Sequence, residues 1–127
     1  WAYIDTKTGH PVKASEEERA VYPIEEKLDM KPLGRKIRIP EERQEMGCFT
    51  VRQYHLDSNH HVNNAQYIRL SQEYIPADFQ VQRLRAEYKR QAVLGDKIFP
   101  LVSKTEDSYV VALCNEKKES YAVVEFA

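Results

Sequence analysis

The sequence of 127 residues has little of several things, and each shortage excludes a class of protein. Its two cysteines, Cys48 and Cys114, are too few for a disulfide scaffold and lack metal-ligand spacing. Its 19 basic and 20 acidic residues nearly cancel, whereas dedicated nucleic-acid-binding proteins normally carry a basic excess. No apolar run approaches the roughly 18 residues of a membrane-spanning helix, and no signal peptide is evident. We therefore expect a reducing, cytosolic setting, with no nucleic-acid or membrane partner.

The residues that are present predict one compact domain. Hydrophobic residues make up 42% and charged residues 31% of the chain, so a core can form and wholesale disorder is excluded. The length suffices for one domain but not for two of full size. The chain begins at Trp1 without a methionine, which is typical of a fragment or a processed product.

The first 46 residues are predicted to differ from the rest. Residues 1–5 are typical of the end of a strand, and Ser15 is predicted to cap a short helix that Pro23 terminates. Residues 31–45 combine prolines, a glycine and many charges with few apolar side chains, which predicts a connector.

From residue 47 the pattern predicts an α+β domain. Residues 48–52 alternate like a strand, and a shift of phase predicts a bend or a bulge near Gln53. Apolar side chains at helical spacing predict an amphipathic helix over 65–75, which Pro76 ends. Further strands are predicted at 79–93, 97–104, 108–114 and 120–126. One helix is thus expected to pack on a curved antiparallel sheet.

The densest polar cluster, residues 57–64, lies between a predicted strand and this helix. Asp57 is a candidate to orient an imidazole or to act as a base, and His61 exchanges protons near neutrality. Asn59 offers donor and acceptor groups to hold a water or a carbonyl oxygen. Asn63 or Asn64 is predicted to cap the helix, whose free N–H groups favour developing negative charge. These are the parts of a hydrolytic site for an ester or thioester.

Other interpretations of these residues stay open. The cluster also fits a purely structural loop, because Asp and Asn are ordinary turn and cap residues. A metal site at His60 and His61 lacks a third ligand at suitable spacing. Both cysteines fit buried structural thiols better than nucleophiles, which leaves water as the attacking group. The basic residues of the strand at 79–93 suit either a surface that docks an acidic partner or a solvated strand face: Arg83, Arg85, Lys89 and Arg90.

Residues 56–68, L-D-S-N-H-H-V-N-N-A-Q-Y-I, resemble the D-x-N-x-H-V-N-N-x-x-Y signature of acyl-acyl-carrier-protein thioesterases. Residues 1–12 resemble the end of that family's first repeat. Residues 28–30 and 39–40 resemble its connector, and residues 87–90 resemble the strand that completes its active site. The resemblance spans essentially the whole chain.

The resemblance implies a hotdog fold, in which an antiparallel sheet wraps around one long helix. It implies hydrolysis of the thioester between a fatty acyl chain and the phosphopantetheine arm of the carrier protein, a reaction of lipid metabolism, without a metal or cofactor. The family's catalytic Asp, Asn and His fall on Asp57, Asn59 and His61. The start of the helix, Val62, Asn63 and Asn64, is expected to stabilise the oxyanion. Tyr67 and Glu87 are expected to contact the substrate.

Two departures from the family pattern matter. The plant enzymes carry Glu and Cys where this chain has Gln91 and Ala92. Gln91 is expected to position water but is unable to act as a general base. Glu87, four residues earlier on the same face of the predicted strand, is a weaker substitute. Family members also contain two tandem hotdog repeats. Here residues 1–46 are expected to be the end of the first repeat plus the connector, and residues 47–127 the second.

Three functional hypotheses follow. The first is hydrolysis of acyl-acyl carrier protein (acyl-ACP), and the second keeps the reaction but uses acyl-coenzyme A. The third is a non-catalytic hotdog module for acyl binding or assembly, favoured by Gln91 and the missing first repeat. We also expect self-association or pairing with a first repeat, because hotdog domains have a sheet edge and a helix side to cover.

Overall fold

A computed structural model of the chain describes residues 3–29 and 32–127. Four residues of the predicted strand end and connector lie outside this part: Trp1, Ala2, Met30 and Lys31. The chain forms two compact units, Trp1–Pro32 and Leu33–Ala127.

The first unit contains a small hairpin and a short helix. Strand β1 (Tyr3–Ile4) pairs antiparallel with β2 (Pro11–Val12), and Gly9 adopts a φ of 70° in the turn between them. Helix α1 covers Glu16–Val21. Ser15 caps it as predicted: its hydroxyl accepts the N–H of Glu18, whose carboxylate accepts the N–H of Ser15. The helix ends before Pro23, which has no N–H to continue it.

The second unit is built on a six-stranded antiparallel sheet. Its strands are β3 (Gln44–Glu45), β4 (Phe49–Thr50), β5 (Leu84–Tyr88), β6 (Lys97–Lys104), β7 (Tyr109–Cys114) and β8 (Ser120–Phe126). The order is β3-β6-β7-β8-β5, and β4 also pairs with β6. A 3-10 turn at Gln53–His55 forms the bend that was predicted near Gln53. The predicted strand over 79–93 is shorter, since regular pairing covers only β5.

One helix packs against this sheet, which confirms the predicted α+β class. Helix α2 covers Asn64–Gln72, so it is three residues shorter at its end than predicted; turns then continue to Ile75, before Pro76. Tyr67 and Ser71 are the buried side chains of α2, and they face β7 and β8. The core beneath them includes the fully buried Val124 and Phe126. Burying such apolar side chains supplies the main stabilisation of the unit.

The opposite face of the sheet is covered by residues that were predicted to be a connector. Ile37 is 5% exposed and packs against Leu101, Val110 and Val123. The second compact unit begins at Leu33, and the repeat boundary at residue 47 stays a prediction.

No helix within residues 3–29 and 32–127 combines the length and the apolar character needed to cross a lipid bilayer.

Candidate active site

The polar cluster at 57–64 forms a tight loop that leads directly into helix α2. A β-bridge between Leu56 and Val62 closes it, and the N–H of Asp57 donates to the carbonyl of His61 at 2.8 Å. His60 sits at the turn with a φ of 61°, a left-handed conformation that few side chains adopt. Because the chain turns there, His60 is exposed, whereas His61, which follows the turn, is half-buried.

The carboxylate of Asp57 holds this loop together. Its Oδ1 accepts the backbone N–H of Asn59 at 2.8 Å and that of His61 at 3.3 Å. Such bonds from an aspartate to nearby N–H groups stabilise turns. Within the part of the chain that the structure describes, neither imidazole of the loop donates to this carboxylate. Asp57 therefore orients the backbone of His61 rather than its ring.

A second segment, residues 91–93, docks against the loop. His61 and Val93 form an antiparallel bridge, and the N–H of Val62 donates to the carbonyl of Ala92 at 2.9 Å. The N–H of Ala92 donates to the hydroxyl of Tyr67, also at 2.9 Å. Gln91, which precedes this anchored residue, is thereby brought to the same side as His61.

The start of α2 leaves one backbone donor for a ligand. Asn63 is the cap: its side chain accepts the N–H of Ala65 at 2.9 Å and its carbonyl accepts that of Gln66. The N–H of Val62 is bonded to Ala92, and that of Asn63 donates to the carbonyl of His55. Among residues 3–29 and 32–127, the N–H of Asn64 has no acceptor, so it is the candidate oxyanion donor in the predicted 62–64 set.

These pieces surround a solvent-open cleft of about 690 Å³. Its lining comes from the loop, the first turn of α2 and the segment that follows β5: Asp57, His61, Val62, Asn63, Asn64, Tyr67, Tyr88, Lys89, Arg90 and Gln91. The predicted proton-transfer residue, the predicted water-positioning residue and the helix start therefore share one cavity. That combination of imidazole, amide and backbone donor is suited to activating a water beside a carbonyl group.

Two predicted site residues do not line this cleft. Asn59 is exposed on the loop, where its N–H is tied to Asp57. Glu87 belongs to the opposite face of β5, and its Oε2 accepts the N–H of Ile37 at 2.9 Å. Strand alternation explains the latter placement, because the neighbouring Tyr88 faces the cleft and side chains of a strand alternate between faces. Gln91 lies beyond the end of β5, so the predicted shared face with Glu87 does not extend to it.

Two further side chains surround the site although neither was named as a site residue from the sequence: Tyr88, within the segment 87–90 that resembles the family's active-site strand, and His55. The hydroxyl of Tyr88 donates to the carbonyl of Asn64 at 3.3 Å, and burial raises the pKa of that hydroxyl. His55 is 5% exposed and lies behind the loop, with Nδ1 accepting the N–H of Arg52. Burial, with a smaller contribution from the Arg52 cation, lowers the pKa of His55. No local pattern in the sequence marked His55 as buried.

Most of the basic residues on and after β5 are already paired. Arg85 binds Glu125 at 3.0 Å on the face that carries Glu87. Arg90 binds Glu119 at 2.8 Å, whereas the ammonium of Lys89 lies 3.7 Å from Glu87. The cleft therefore has a basic rim, made by Lys89 and Arg90, whose charge is partly neutralised.

The cleft contains neither a cysteine nucleophile nor a group of metal ligands among the described residues. Cys48 is exposed, Cys114 is buried in β7, and neither lines the cleft. Within the described residues, no group of three or more His, Cys, Asp or Glu side chains is arranged to hold a metal ion. A larger cleft of about 980 Å³ near the end of α2, lined by residues such as Tyr74 and Tyr109, contains none of the predicted site residues.

Comparison with known protein families gives a match that includes the residues of this cleft. The model of the acyl-ACP thioesterase C-terminal domain matches residues 39–124, which include both segments of the site. The chain belongs to the acyl-ACP thioesterase family. No curated protein sequence matches it significantly.

Solved structures agree on the fold. The chain is similar to an acyl-ACP thioesterase from Bacteroides thetaiotaomicron, with a TM-score of 0.76 and 18% identity over 97% of this chain and 51% of that one. A 12:0-ACP thioesterase from Umbellularia californica gives 0.71 and 21%, with coverages of 97% and 51%. The protein smu.793 from Streptococcus mutans, bound to acetyl-CoA, gives 0.52 and 16%, with coverages of 72% and 90%. These likenesses confirm the expected hotdog fold, and the chain spans about half the length of the first two proteins.

Proposed function

We propose that this chain carries the catalytic site of a thioesterase that hydrolyses fatty acyl-ACP and releases the free fatty acid. The observation that carries the proposal is the cleft in which His61 and Gln91 meet the first turn of helix α2. Membership of the acyl-ACP thioesterase family supports the thioester as substrate. The assignment of residues to steps rests on the geometry of the cleft.

In the proposed reaction, water attacks the thioester carbonyl while His61 takes its proton. The amide of Gln91 orients that water, and the N–H of Asn64 at the positive end of α2 stabilises the oxyanion. Collapse of the tetrahedral intermediate breaks the carbon–sulfur bond, and His61 returns the proton to the departing thiolate. Asp57 contributes by holding the His61 backbone. Asn59 receives no step, because its side chain lies outside the cleft.

The two adjacent histidines allow a closely matched test. We expect His61→Asn to lower kcat by about 100-fold or more, the usual size of general acid–base assistance. His60→Asn is the control: His60 is exposed, does not line the cleft, and has a left-handed φ of 61° that asparagine tolerates. Release of carrier thiol from acyl-ACP measures turnover, and circular dichroism checks the fold. Unchanged turnover in His61→Asn refutes the mechanism.

The carrier protein is the proposed partner, and coenzyme A is the alternative. Family membership favours acyl-ACP, and the basic rim of Lys89 and Arg90 suits an acidic partner. The structural likeness to a protein bound to acetyl-CoA keeps the alternative open. Comparison of one acyl group on both carriers decides between them. Preference for the carrier protein, with kcat/KM falling steeply as salt rises, supports the proposal; equal or better use of the coenzyme A ester contradicts it.

A non-catalytic acyl-binding or assembly module is the second candidate, favoured by Gln91, which replaces the family's glutamate with a group that accepts no proton. This second candidate predicts no hydrolysis by this chain or by any longer protein that contains it.

We further propose pairing through β5, the last strand in the sheet order, where Leu84 and Tyr88 are 41% and 43% exposed. A second copy or a preceding hotdog repeat suits this edge, and light scattering tests for the former. A cytoplasmic role in fatty acid biosynthesis completes the proposal.

A further inference from the structure

We propose that Tyr67 is a positioning residue of this site: its hydroxyl holds the peptide group that joins Gln91 to Ala92 and so fixes Gln91 in the cleft. This differs from the substrate contact expected of Tyr67 from the sequence. It rests on the proposed function, because Gln91 needs a fixed place only if it orients the attacking water.

The contact is buried and specific. Tyr67 is 2% exposed and Ala92 is fully buried. The N–H of Ala92 donates to the Tyr67 hydroxyl at 2.9 Å, while the carbonyl of Ala92 accepts the N–H of Val62. The residue after Gln91 is thus bound on one side by helix α2 and on the other by the residue after His61. A buried N–H that loses its only partner is energetically unfavourable, so this hydroxyl has a defined task.

The segment around Gln91 has few other restraints. Strand β5 ends at Tyr88, and the N–H groups of Lys89 and Arg90 both donate to the carbonyl of Tyr121, at 2.8 and 3.1 Å. The next described backbone bonds along the chain are those of Ala92. Gln91 itself is exposed, with no bond from its N–H within the part of the chain that the structure describes. Its position in the cleft therefore depends on the bonded residues on either side of it, Arg90 before and Ala92 after.

A phenylalanine would fill the same core volume as Tyr67, so the hydroxyl is the informative atom. Burial raises the pKa of Tyr67, which keeps that hydroxyl neutral. A neutral hydroxyl can accept the Ala92 N–H while its own hydrogen remains available. Packing alone requires the ring, whereas positioning requires the oxygen.

The test compares Tyr67→Phe, Gln91→Ala and the double variant with the unchanged protein. We expect Tyr67→Phe to lower kcat about tenfold, equivalent to about 1.4 kcal/mol, with KM for acyl-ACP nearly unchanged. If Tyr67 acts through Gln91, the double variant is no slower than Gln91→Ala alone. Tyr74→Phe is the matched control, since it removes a hydroxyl from a half-buried tyrosine that lines the other cleft. Amide hydrogen exchange at Ala92 is expected to accelerate in Tyr67→Phe only.

The outcomes separate this inference from the proposed function. Wild-type kcat in Tyr67→Phe, fully additive losses in the double variant, or unchanged exchange at Ala92 would overturn the positioning role and leave the thioesterase intact. A lowered thermal midpoint with normal kcat would show a purely structural hydroxyl. Absence of hydrolysis by the unchanged protein, and by any longer protein containing it, would refute the proposed function and this inference with it.

Discussion

Substitution of Asp57 distinguishes a loop-holding carboxylate from a catalytic base. Its Oδ1 accepts two backbone N–H groups, one at 2.8 Å and one at 3.3 Å, near the limit for a hydrogen bond. A hydrogen bond to a charged group contributes about 1.5–3 kcal/mol, and the half-exposed loop favours the lower end. We therefore expect Asp57→Ala to lower the free energy of unfolding by about 2 kcal/mol. Release of His61 from its place should also lower kcat.

Asparagine at the same position removes the charge and keeps an acceptor oxygen. Because a charge-assisted bond is roughly twice as strong as a neutral one, Asp57→Asn should lose about 1 kcal/mol, half of the alanine effect. If the carboxylate only orients the His61 backbone, this variant also retains most of its kcat.

Urea denaturation gives the free energies of unfolding, and thiol release from acyl-ACP gives kcat for each variant. An Asp57→Asn variant as unstable as Asp57→Ala would contradict the hydrogen-bonding argument. A fully folded Asp57→Asn variant as inactive as His61→Asn would show instead that the carboxylate takes part in proton transfer.

Two further predictions concern the surroundings of the loop. Asn63→Ala should lower the free energy of unfolding by about 1 kcal/mol through loss of the α2 cap, whereas Asn63→Asp should not; equal urea midpoints for all three proteins would contradict this. Because burial and the Arg52 cation depress the pKa of folded His55, the unfolded chain binds more protons below about pH 6.5. Stability should thus fall on acidification from about pH 7.5 to about 5.5, and His55→Gln should fall less; the same pH dependence in both proteins would exclude His55 as a cause.

The regular strands were predictable because their signals are local. The observed bounds of β6 and β8 coincide with the predicted 97–104 and 120–126, where apolar runs are bounded by turn residues. The predicted strand over 79–93 extended too far, since the pattern stays β-compatible beyond Tyr88. Regular pairing stops after Tyr88, where the N–H groups of Lys89 and Arg90 both donate to the carbonyl of Tyr121. Ala92 then docks on Tyr67 and Val62, and such contacts between distant segments leave no local periodicity.

The candidate site also combines features that have a local sequence signal with features that depend on contacts between distant residues. The candidate His61 and a cap at Asn63 or Asn64 follow from residue type and order, because a polar cluster before an amphipathic helix predicts a capped start. Asn59 is exposed because of the turn that Asp57 stabilises. Glu87 lies on the face of β5 away from the cleft, where it accepts the N–H of Ile37. The few apolar side chains of the segment around Ile37 and Ile39 gave too weak a signal to show that this segment covers the sheet.

The dependence of residues 88–90 on strand β8 has a consequence for synthesis on the ribosome. Tyr88 pairs with Ala122, and the two residues after Tyr88 are bonded to Tyr121. His61 and helix α2 leave the ribosome well before β8, yet the wall of the cleft opposite them has no partner strand until β8 emerges. The nascent chain therefore carries its imidazole in an incomplete cavity until almost the whole second unit has been translated.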